Sequence, residues 1–196
     1  NIIMFNGIIY NKGYVTNIKK MSQGWSIVIS TKLKINKSEI GSSIACNGVC
    51  LTLENVIKRK IFFFLSKETL KRSNFKNLKI NDKINLEKSL KFGQFISGHF
   101  TQGHVDCTAK VSKIIKIGNS WLTNFSLINY PQTFLISKSS ITINGVSLTI
   151  SKVLKKGFQV SIIPHTLKLT NLINLKKLDI VNIEFDLFAK YYKKIS

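Results

Sequence analysis

Residues 43–52 read SIACNGVCLT, and residues 140–149 read SITINGVSLT. Seven of the ten positions are identical, at a constant offset of 97 residues. The same offset continues without a gap and pairs Glu87 with Glu184. Agreement over this length indicates an internal duplication, which constrains the architecture before any local motif is considered.

The duplication covers both halves of the chain. Ahead of the quoted stretch the offset is 96 and pairs Gly7 with Gly103, so a single one-residue insertion or deletion separates the two copies. We therefore predict two homologous domains, at residues 4–92 and 99–184, joined by a short connector. The remaining residues, 185–196, follow the second domain.

Each copy has the alternation of a half-buried β-strand. Val49, Leu51 and Leu53 are separated by small or polar residues, and the second copy repeats this pattern. Five or six short strands with one apolar face close most simply into a barrel, which leaves no exposed edge. The predicted fold is all-β, with two homologous, small, closed, six-stranded, Greek-key-like β-barrels in tandem and a short C-terminal α-helix. Further stretches with β-strand character are residues 25–30, 60–65, 83–86, 158–163 and 181–185.

Three short helices are expected. Thr69 and Thr166 each follow a strand and precede Leu-Lys, which is the position of a helix N-cap. A helix of two or three turns is unstable alone in water, so we expect the C-terminal helix, residues 185–196, to pack on another surface and to serve oligomerisation. Its apolar residues recur at helical spacing, at positions 187, 188, 191, 192 and 195.

The composition excludes several classes of protein. With 44% hydrophobic residues, 2 prolines and 3 cysteines among 196 residues, the chain is neither disordered nor a disulfide scaffold. The longest apolar run, residues 61–65, is far shorter than the roughly 18 residues that a membrane span needs. We expect no membrane association. Because residues 1–5 do not resemble an export signal, we expect a cytoplasmic protein with free thiols.

The net charge of +21 raises nucleic acid as a partner. Only Arg59 and Arg72 are arginines, however, whereas recognition of phosphate and guanine favours arginine. The lysines are scattered from Lys12 to Lys194. We interpret the charge as a solvated basic surface and expect no specific nucleic-acid partner, while an RNA-binding barrel protein is an alternative based on the charge alone.

The sequence contains neither a metal-binding motif nor a nucleophile motif. His99 and His104 stand five residues apart, and His165 is the only other histidine, so we predict no metal site. Cys50 and Ser147 occupy equivalent positions, but no adjacent histidine and acid can be assigned to them. We interpret the pair as side chains that line equivalent ligand surfaces.

Two copies of one site predict two copies of the same or a similar ligand. If the sites face each other, two like molecules are held with their reacting atoms in contact. Ordering of this kind can contribute on the order of 7 to 11 kcal/mol to a reaction barrier. The residue pattern alone does not identify the ligand.

Five sequence blocks resemble one family, riboflavin synthase, the single-chain enzyme made of two lumazine-binding barrels. They occur in the family's order and extend over essentially the whole chain. The blocks are MFNGII at residues 4–9, NGVCLT at 47–52, GHFTQGHVD at 98–106, NGVSLT at 144–149 and IPHTL at 163–167.

The resemblance implies a dismutation. Two molecules of 6,7-dimethyl-8-ribityllumazine exchange a four-carbon unit to give riboflavin and 5-amino-6-ribitylaminouracil, the last step of riboflavin biosynthesis, with no cofactor. It also implies a homotrimer, in which each site lies between the first barrel of one subunit and the second barrel of its neighbour, and an association with lumazine synthase. The alternative with the same fold is a non-catalytic lumazine- or flavin-binding protein of the antenna type.

Carried over by position, the resemblance also implies a set of site residues. Cys50 and Ser147 would promote addition and proton transfer at the ring, and Gly103 would let the backbone approach closely. His99 is open to a structural interpretation, as a core histidine with its hydrogen bonds satisfied or as a connector histidine. The implied catalytic residues are Cys50, Ser147, His104 and Phe5. The implied substrate-binding residues are Ser43, Thr52, Thr69, Gly103, Lys138, Thr149, Ile163 and Thr166.

Two positions depart from the family pattern. Asn144 stands where the family has an aspartate, which removes a carboxylate that could handle a proton, although an amide still forms hydrogen bonds. Asn1, Ile2 and Ile3 precede the usual Met-Phe start and are expected to crowd Phe5 if they are a true extension.

Overall fold

The computed structural model describes residues 4–195 and places them in two β-barrels followed by a helix. The expectation that residues 1–3 crowd Phe5 lies outside the described residues, as does the side chain of Ile195 in the predicted helical stripe.

The two halves of the chain share one succession of elements, except that the first half has one additional strand and the second half ends with an additional helix. The first half contains β1 (Asn11–Met21), β2 (Gly24–Thr31), β3 (Ser43–Cys46), β4 (Val49–Thr52), β5 (Asn55–Ile57), β6 (Lys60–Ser66), α1 (Lys67–Arg72) and β7 (Lys83–Lys88). The second half contains β8 (Cys107–Ile117), β9 (Ser120–Ile128), β10 (Ser140–Ile143), β11 (Val146–Leu154), β12 (Gly157–Ile162), α2 (Pro164–Leu169), β13 (Ile180–Phe185) and α3 (Leu187–Ile195).

The second sheet closes on itself. Its strand order is β10, β11, β12, β9, β8, β13, and β13 pairs back onto β10. Every neighbouring pair is antiparallel. The prediction of a closed six-stranded barrel is confirmed in this half.

The first sheet follows the same path with one interruption. Its order is β4, β3, β7, β1, β2, β6, β5, so its two ends are β4 and β5, which are consecutive in the chain. The equivalent stretch of the second barrel is the single strand β11, which has a bulge between Ile150 and Lys152. The first barrel is therefore the same ring, closed through a strand that is interrupted at residues 53–54. The predicted fold class of tandem barrels is confirmed.

Alternation along the strands separates a core face from an outer face. Val49 and Leu51 are buried, whereas Cys50 between them is only half-buried. In the second barrel the rings of Phe125 and Phe158 stack inside the core with centroids 5.4 Å apart. Because side chains alternate with a period of two, Cys50 lies on the face of β4 opposite to the core.

The two longest strands, β1 and β8, were not predicted. Each has 11 residues. The sequence of β1 is NKGYVTNIKKM, and that of β8 is CTAKVSKIIKI. Each also contains a bulge, between Val15 and Asn17 in β1 and between Val111 and Lys113 in β8. A bulge adds a residue and breaks the period of two, so the strands carry no regular alternation.

The prediction of one short helix in each barrel is confirmed, but the predicted N-caps are wrong. Helix α1 begins at Lys67, and the hydroxyl of Ser66 accepts a hydrogen bond from the backbone N–H of Thr69 at 3.1 Å. Helix α2 begins at Pro164, whose fixed φ suits a first helical position. Thr69 and Thr166 therefore lie inside the helices and not at their N-caps.

The predicted C-terminal helix is present as α3. The Nζ of Lys190 lies 3.1 Å from a carboxylate oxygen of Asp106, and Ala189 is buried. Phe188, Tyr191 and Tyr192 are exposed, so the predicted apolar stripe is not covered by the rest of this chain. In the described part of the chain, 4–195, no helix has the length and apolar character of a membrane span.

The barrels meet at their two Asn-Gly turns, residues 47–48 and 144–145. Gly48 and Gly145 have φ angles of 75° and 79°. A Cβ on either glycine would lie 2.7 Å from the backbone nitrogen of the other. Only glycine allows the two turns to approach this closely.

Six asparagines tie these turns to both barrels. Asn85 donates from its side chain to the carbonyl of Asn144, and Asn182 donates in the same way to the carbonyl of Asn47, both at 2.9 Å. The backbone N–H groups of Asn85 and Asn182 in turn donate to the side chains of Asn47 and Asn144 at 2.8 Å. The six form three repeat-related pairs, which are Asn47 and Asn144, Asn74 and Asn171, and Asn85 and Asn182.

Replacing Gly48 by alanine should destabilise the protein strongly. The control is Gly41→Ala, because Gly41 also has a positive φ, of 90°, but has nothing within 4 Å of an added Cβ. We expect Gly41→Ala to cost about 1 kcal/mol of unfolding free energy for the left-handed backbone. Gly48→Ala should cost about 2 kcal/mol more through overpacking. Urea unfolding measures both, and equal losses would contradict the close contact.

Candidate active site

Two segments that precede the barrels cross between them. They are residues 4–10, ahead of β1, and residues 99–106, ahead of β8, and we call them the crossing segments. Phe5 and Thr101 pair as an antiparallel bridge, with N–H to carbonyl distances of 2.8 Å and 3.1 Å. The crossing segments therefore contact each other at the middle of the molecule.

Each crossing segment contacts the barrel of the other half. The carbonyl of Gly103 accepts from the N–H of Cys50, and the carbonyl of Gly7 accepts from the N–H of Ser147, both at 2.8 Å. Both glycines have a φ of 73°, and a Cβ on either would lie 2.7 Å from the side chain of Cys50 or Ser147. The expectation that Gly103 permits a close approach thus holds for its contact with Cys50.

A cavity of about 420 Å³ lies beside Cys50, and we call it the Cys50 pocket. Strand β4, helix α1 and the second crossing segment supply most of its walls. Its lining residues are Val49, Cys50, Ser66, Glu68, Thr69, Arg72, Ser73, Gly103, His104, Val105, Asp106 and Tyr130.

A second cavity, of about 100 Å³, lies beside Ser147, and we call it the Ser147 pocket. All of its lining residues are repeat counterparts of residues that line the Cys50 pocket. They are Gly7, Ile8, Ile9, Tyr10, Val146, Ser147, His165, Thr166, Leu169 and Thr170. The structure thus contains two pockets at equivalent positions, each walled by both halves of the chain.

The two pockets differ in the side chains at matched positions. Arg72 and Asp106 line the Cys50 pocket, and their counterparts in the Ser147 pocket are Leu169 and Tyr10. The Cys50 pocket is therefore larger and carries more charge. The shared backbone does not make the two sites chemically equal.

The structure brings together half of the predicted site residues. Thr69, His104 and Gly103 surround Cys50 in the first pocket, and Thr166 lies with Ser147 in the second.

The other predicted residues do not line either pocket. Thr52 and Thr149 share strand faces with Cys50 and Ser147 but are exposed, and Ser43 is buried opposite Thr52. Phe5 is fully buried in the bridge between the crossing segments. Lys138 and Ile163 are exposed outside both pockets.

Comparison with known proteins identifies the family. The family model of the lumazine binding domain matches twice, at residues 6–89 and 102–186. Riboflavin synthase from Actinobacillus pleuropneumoniae is 36% identical over 191 residues, which cover 97% of this chain and 89% of that protein. The chain belongs to the riboflavin synthase family. Riboflavin synthase from Photobacterium leiognathi is 37% identical, over 98% of this chain and 88% of that protein.

Solved structures share the fold of this riboflavin synthase family member. LumP complexed with riboflavin matches with a TM-score of 0.83 and 23% identity, over 93% of this chain and 99% of that chain. LumP complexed with 6,7-dimethyl-8-(1'-D-ribityl) lumazine matches with a TM-score of 0.80 and 24% identity, over 92% and 98% of the two chains. At these identities the likeness concerns the fold.

The thiol of Cys50 is protonated at neutral pH. Burial raises its pKa above the ordinary value of 9.0, and the negative charge of Glu184 raises it further. A hydrogen bond from Ser43 acts in the opposite direction. In this member of the riboflavin synthase family, Cys50 is thus a thiol and not a thiolate at neutral pH.

Ser147 has a histidine partner that sequence reasoning missed. The Nδ1 of His99 lies 2.7 Å from the Ser147 hydroxyl, and its Nε2 lies 3.1 Å from the hydroxyl of Thr142. Burial lowers the pKa of His99, against the charge of Asp186, so the ring is neutral at pH 7. These two bonds agree with the interpretation of His99 as a histidine with its hydrogen bonds satisfied, and they also place its ring beside Ser147. Its position in the block at residues 98–106 was the only sequence signal for this contact.

Asn144 lies outside both pockets. Its side-chain oxygen accepts from the N–H of Asn182 at 2.8 Å, and the residue is buried between the barrels. The missing carboxylate at this position therefore falls at the domain contact, away from Cys50 and Ser147. Asn47 makes the equivalent bond to Asn85 in the first barrel.

Proposed function

We propose that the protein is a riboflavin synthase that converts two molecules of 6,7-dimethyl-8-ribityllumazine into riboflavin and 5-amino-6-ribitylaminouracil, the last step of riboflavin biosynthesis. The observation that supports this best is the pair of matched pockets, in which Cys50 and Ser147 occupy equivalent strands. Two matched pockets suit a reaction whose two substrates are the same molecule.

The chemistry requires positioning more than a strong base. The 7-methyl group of the lumazine is acidic, because its carbanion is delocalised over the ring. Holding the two rings in contact removes most of the entropic barrier. One ring gives up four carbons and the other gains them, so the reaction balances without an external oxidant or reductant, and we propose that it uses no cofactor.

His99 and Ser147 suit the removal of a proton. The neutral ring of His99 bonds to the Ser147 hydroxyl and can hold a proton released from the 7-methyl group. In the other pocket, the protonated thiol of Cys50 can donate one. The remaining proposed site residues are His104 and Phe5 near the rings, with Ser43, Thr52, Thr69, Gly103, Lys138, Thr149, Ile163 and Thr166 binding substrate.

A homotrimer would bring pockets of different chains together. The Cys50 and Ser147 pockets of one chain share no lining residue. Stacking two rings is therefore proposed to require the first barrel of one chain and the second barrel of its neighbour. The exposed side chains of Phe188, Tyr191 and Tyr192 on α3 suit a contact between chains.

Three further assignments belong to this proposal. The domain limits of 4–92 and 99–184 are supported by the matching order of elements in the two halves. A cytoplasmic location agrees with three unpaired cysteine thiols. An association with lumazine synthase stays a prediction from the family resemblance.

The proposed reaction is tested by incubating the purified protein with 6,7-dimethyl-8-ribityllumazine. We expect riboflavin to appear with two substrate molecules consumed for each product molecule. Tight binding without turnover would instead indicate the non-catalytic antenna-type protein. No binding would contradict the proposed ligand class and favour the RNA-binding alternative.

Replacing Cys50 by alanine should slow turnover by about 100-fold, since a positioned proton donor contributes at least that much. The melting temperature should change little, because Cys50 is only partly buried. Cys50→Ser is the matched variant, because serine is what the second pocket carries at this position, and it should retain more activity than the alanine variant. Unchanged turnover in Cys50→Ala would remove Cys50 from the mechanism.

Sedimentation velocity should give three times the mass of one chain. Phe188→Ser combined with Tyr192→Ser should dissociate this assembly, because both side chains are exposed on α3. Tyr14→Ser is the control, since Tyr14 is an exposed aromatic residue on β1. A trimer that survives the double substitution would contradict the assignment of α3 to the subunit contact.

A further inference from the structure

Two glutamates, the half-buried Glu87 in β7 and the buried Glu184 in β13, occupy repeat-related positions. Glu87 accepts hydrogen bonds from the backbone N–H groups of Asn6 and Gly7, at 2.9 Å and 3.0 Å. Glu184 accepts from the N–H groups of Gln102 and Gly103, at 2.7 Å and 3.0 Å. Each carboxylate therefore uses both oxygens to hold two successive residues of one crossing segment.

The segment that each glutamate holds forms a wall of the opposite pocket. Glu184 belongs to the second barrel and holds Gly103, whose carbonyl accepts from Cys50 of the first barrel. Glu87 belongs to the first barrel and holds Gly7, whose carbonyl accepts from Ser147 of the second. The two arrangements are related by the internal repeat.

Burying these carboxylates is unfavourable for the fold. Burial raises the pKa of both groups to about 7, although the backbone N–H bonds lower it. The charge of Lys190 lowers the pKa of Glu184, and the charge of Asp106 raises it. The charge of Glu184 in turn raises the pKa of Glu87. Carboxyl groups whose pKa is raised this far are more common at functional sites than elsewhere.

We propose that Glu184 and Glu87 are positioning residues that act crosswise, Glu184 setting the wall of the Cys50 pocket and Glu87 setting the wall of the Ser147 pocket. The inference rests on the proposed function, because it takes the two pockets as the ligand sites. A glutamine at either position has one acceptor oxygen for two N–H donors, and its NH₂ group would face the second donor. One wall of the opposite pocket would then loosen.

Thiol alkylation tests the crosswise effect in ligand-free protein. The wild-type chain reports on the first pocket through Cys50, because Cys46 and Cys107 are buried. Cys50→Ser combined with Ser147→Cys moves the reporting thiol to the second pocket. Each reporter chain is combined in turn with Glu184→Gln and with Glu87→Gln, and the iodoacetamide rate is measured over a series of pH values. The rates are compared per thiolate, because loss of the Glu184 charge by itself lowers the pKa of Cys50.

We expect a crossed pattern of rates. Glu184→Gln should accelerate alkylation of Cys50 about fivefold, the factor expected for the loss of one ordinary hydrogen bond. The alkylation rate of the thiol introduced at position 147 should stay within about twofold of its rate in the reporter chain without Glu184→Gln. A change of that size is the scatter expected of context effects. Glu87→Gln should accelerate alkylation of the thiol at position 147 and leave the rate at Cys50 nearly unchanged. Equal acceleration of both thiols, or of neither, would overturn the proposal.

Two further measurements distinguish failure of the positioning role from failure of the proposed function and from unfolding of a variant. Riboflavin should protect each thiol, and the half-protecting concentration should rise in the same crossed pattern. If riboflavin protects neither thiol, the proposed function fails while the ligand-free rates still decide the positioning role. Unfolding of a glutamine variant would be recognised because Cys46 and Cys107 would then also react. In that case the shorter variants Glu184→Asp and Glu87→Asp are used instead. The same crossed pattern of rates is expected for them.

Discussion

The contact between two Asn-Gly turns holds the molecule together as one unit. Gly48 and Gly145 touch backbone to backbone, and the asparagines beside them exchange hydrogen bonds across the boundary. A buried amide that lacked these partners would cost about 1 to 3 kcal/mol, so the network is stable only with all its members in place. Because the bonds that Asn85 and Asn182 make to the opposite turn are repeated in the two halves, the contact fixes one relative orientation of the barrels.

That orientation makes each pocket a product of both halves. A crossing segment can reach the opposite barrel only because the barrels are held at a fixed distance, with Phe5 and Thr101 paired between them. The carbonyls of Gly7 and Gly103 then complete the walls beside Ser147 and Cys50. An isolated barrel would lack one wall of its pocket. The duplication therefore does more than supply two independent sites.

The repeat, the strand alternation and the twin sites could be predicted from sequence because each has a local or periodic signal. The offset that aligns Cys50 with Ser147 is enough to predict that the two residues lie at equivalent sites. The exchange of crossing segments has no such signal, since it joins residues far apart in the chain, as in the bond between Gly7 and Ser147. The contact of His99 with Ser147 spans 48 residues and was missed for the same reason. The N-cap predictions were wrong because Ser66, the last residue of β6, directly precedes helix α1, which leaves Thr69 inside the helix.

The differences between the pockets suit the proposed reaction, in which two identical substrates have different fates. A symmetrical site would treat both rings alike, whereas the proposed reaction takes four carbons from one ring and adds them to the other. The backbone keeps the symmetry, while the side chains break it: a protonated thiol lines one pocket, and a serine bonded to a neutral histidine lines the other. Such a pair favours proton donation on one side and proton acceptance on the other. Duplication followed by local divergence thus gives two pockets with matched positions and unequal chemistry.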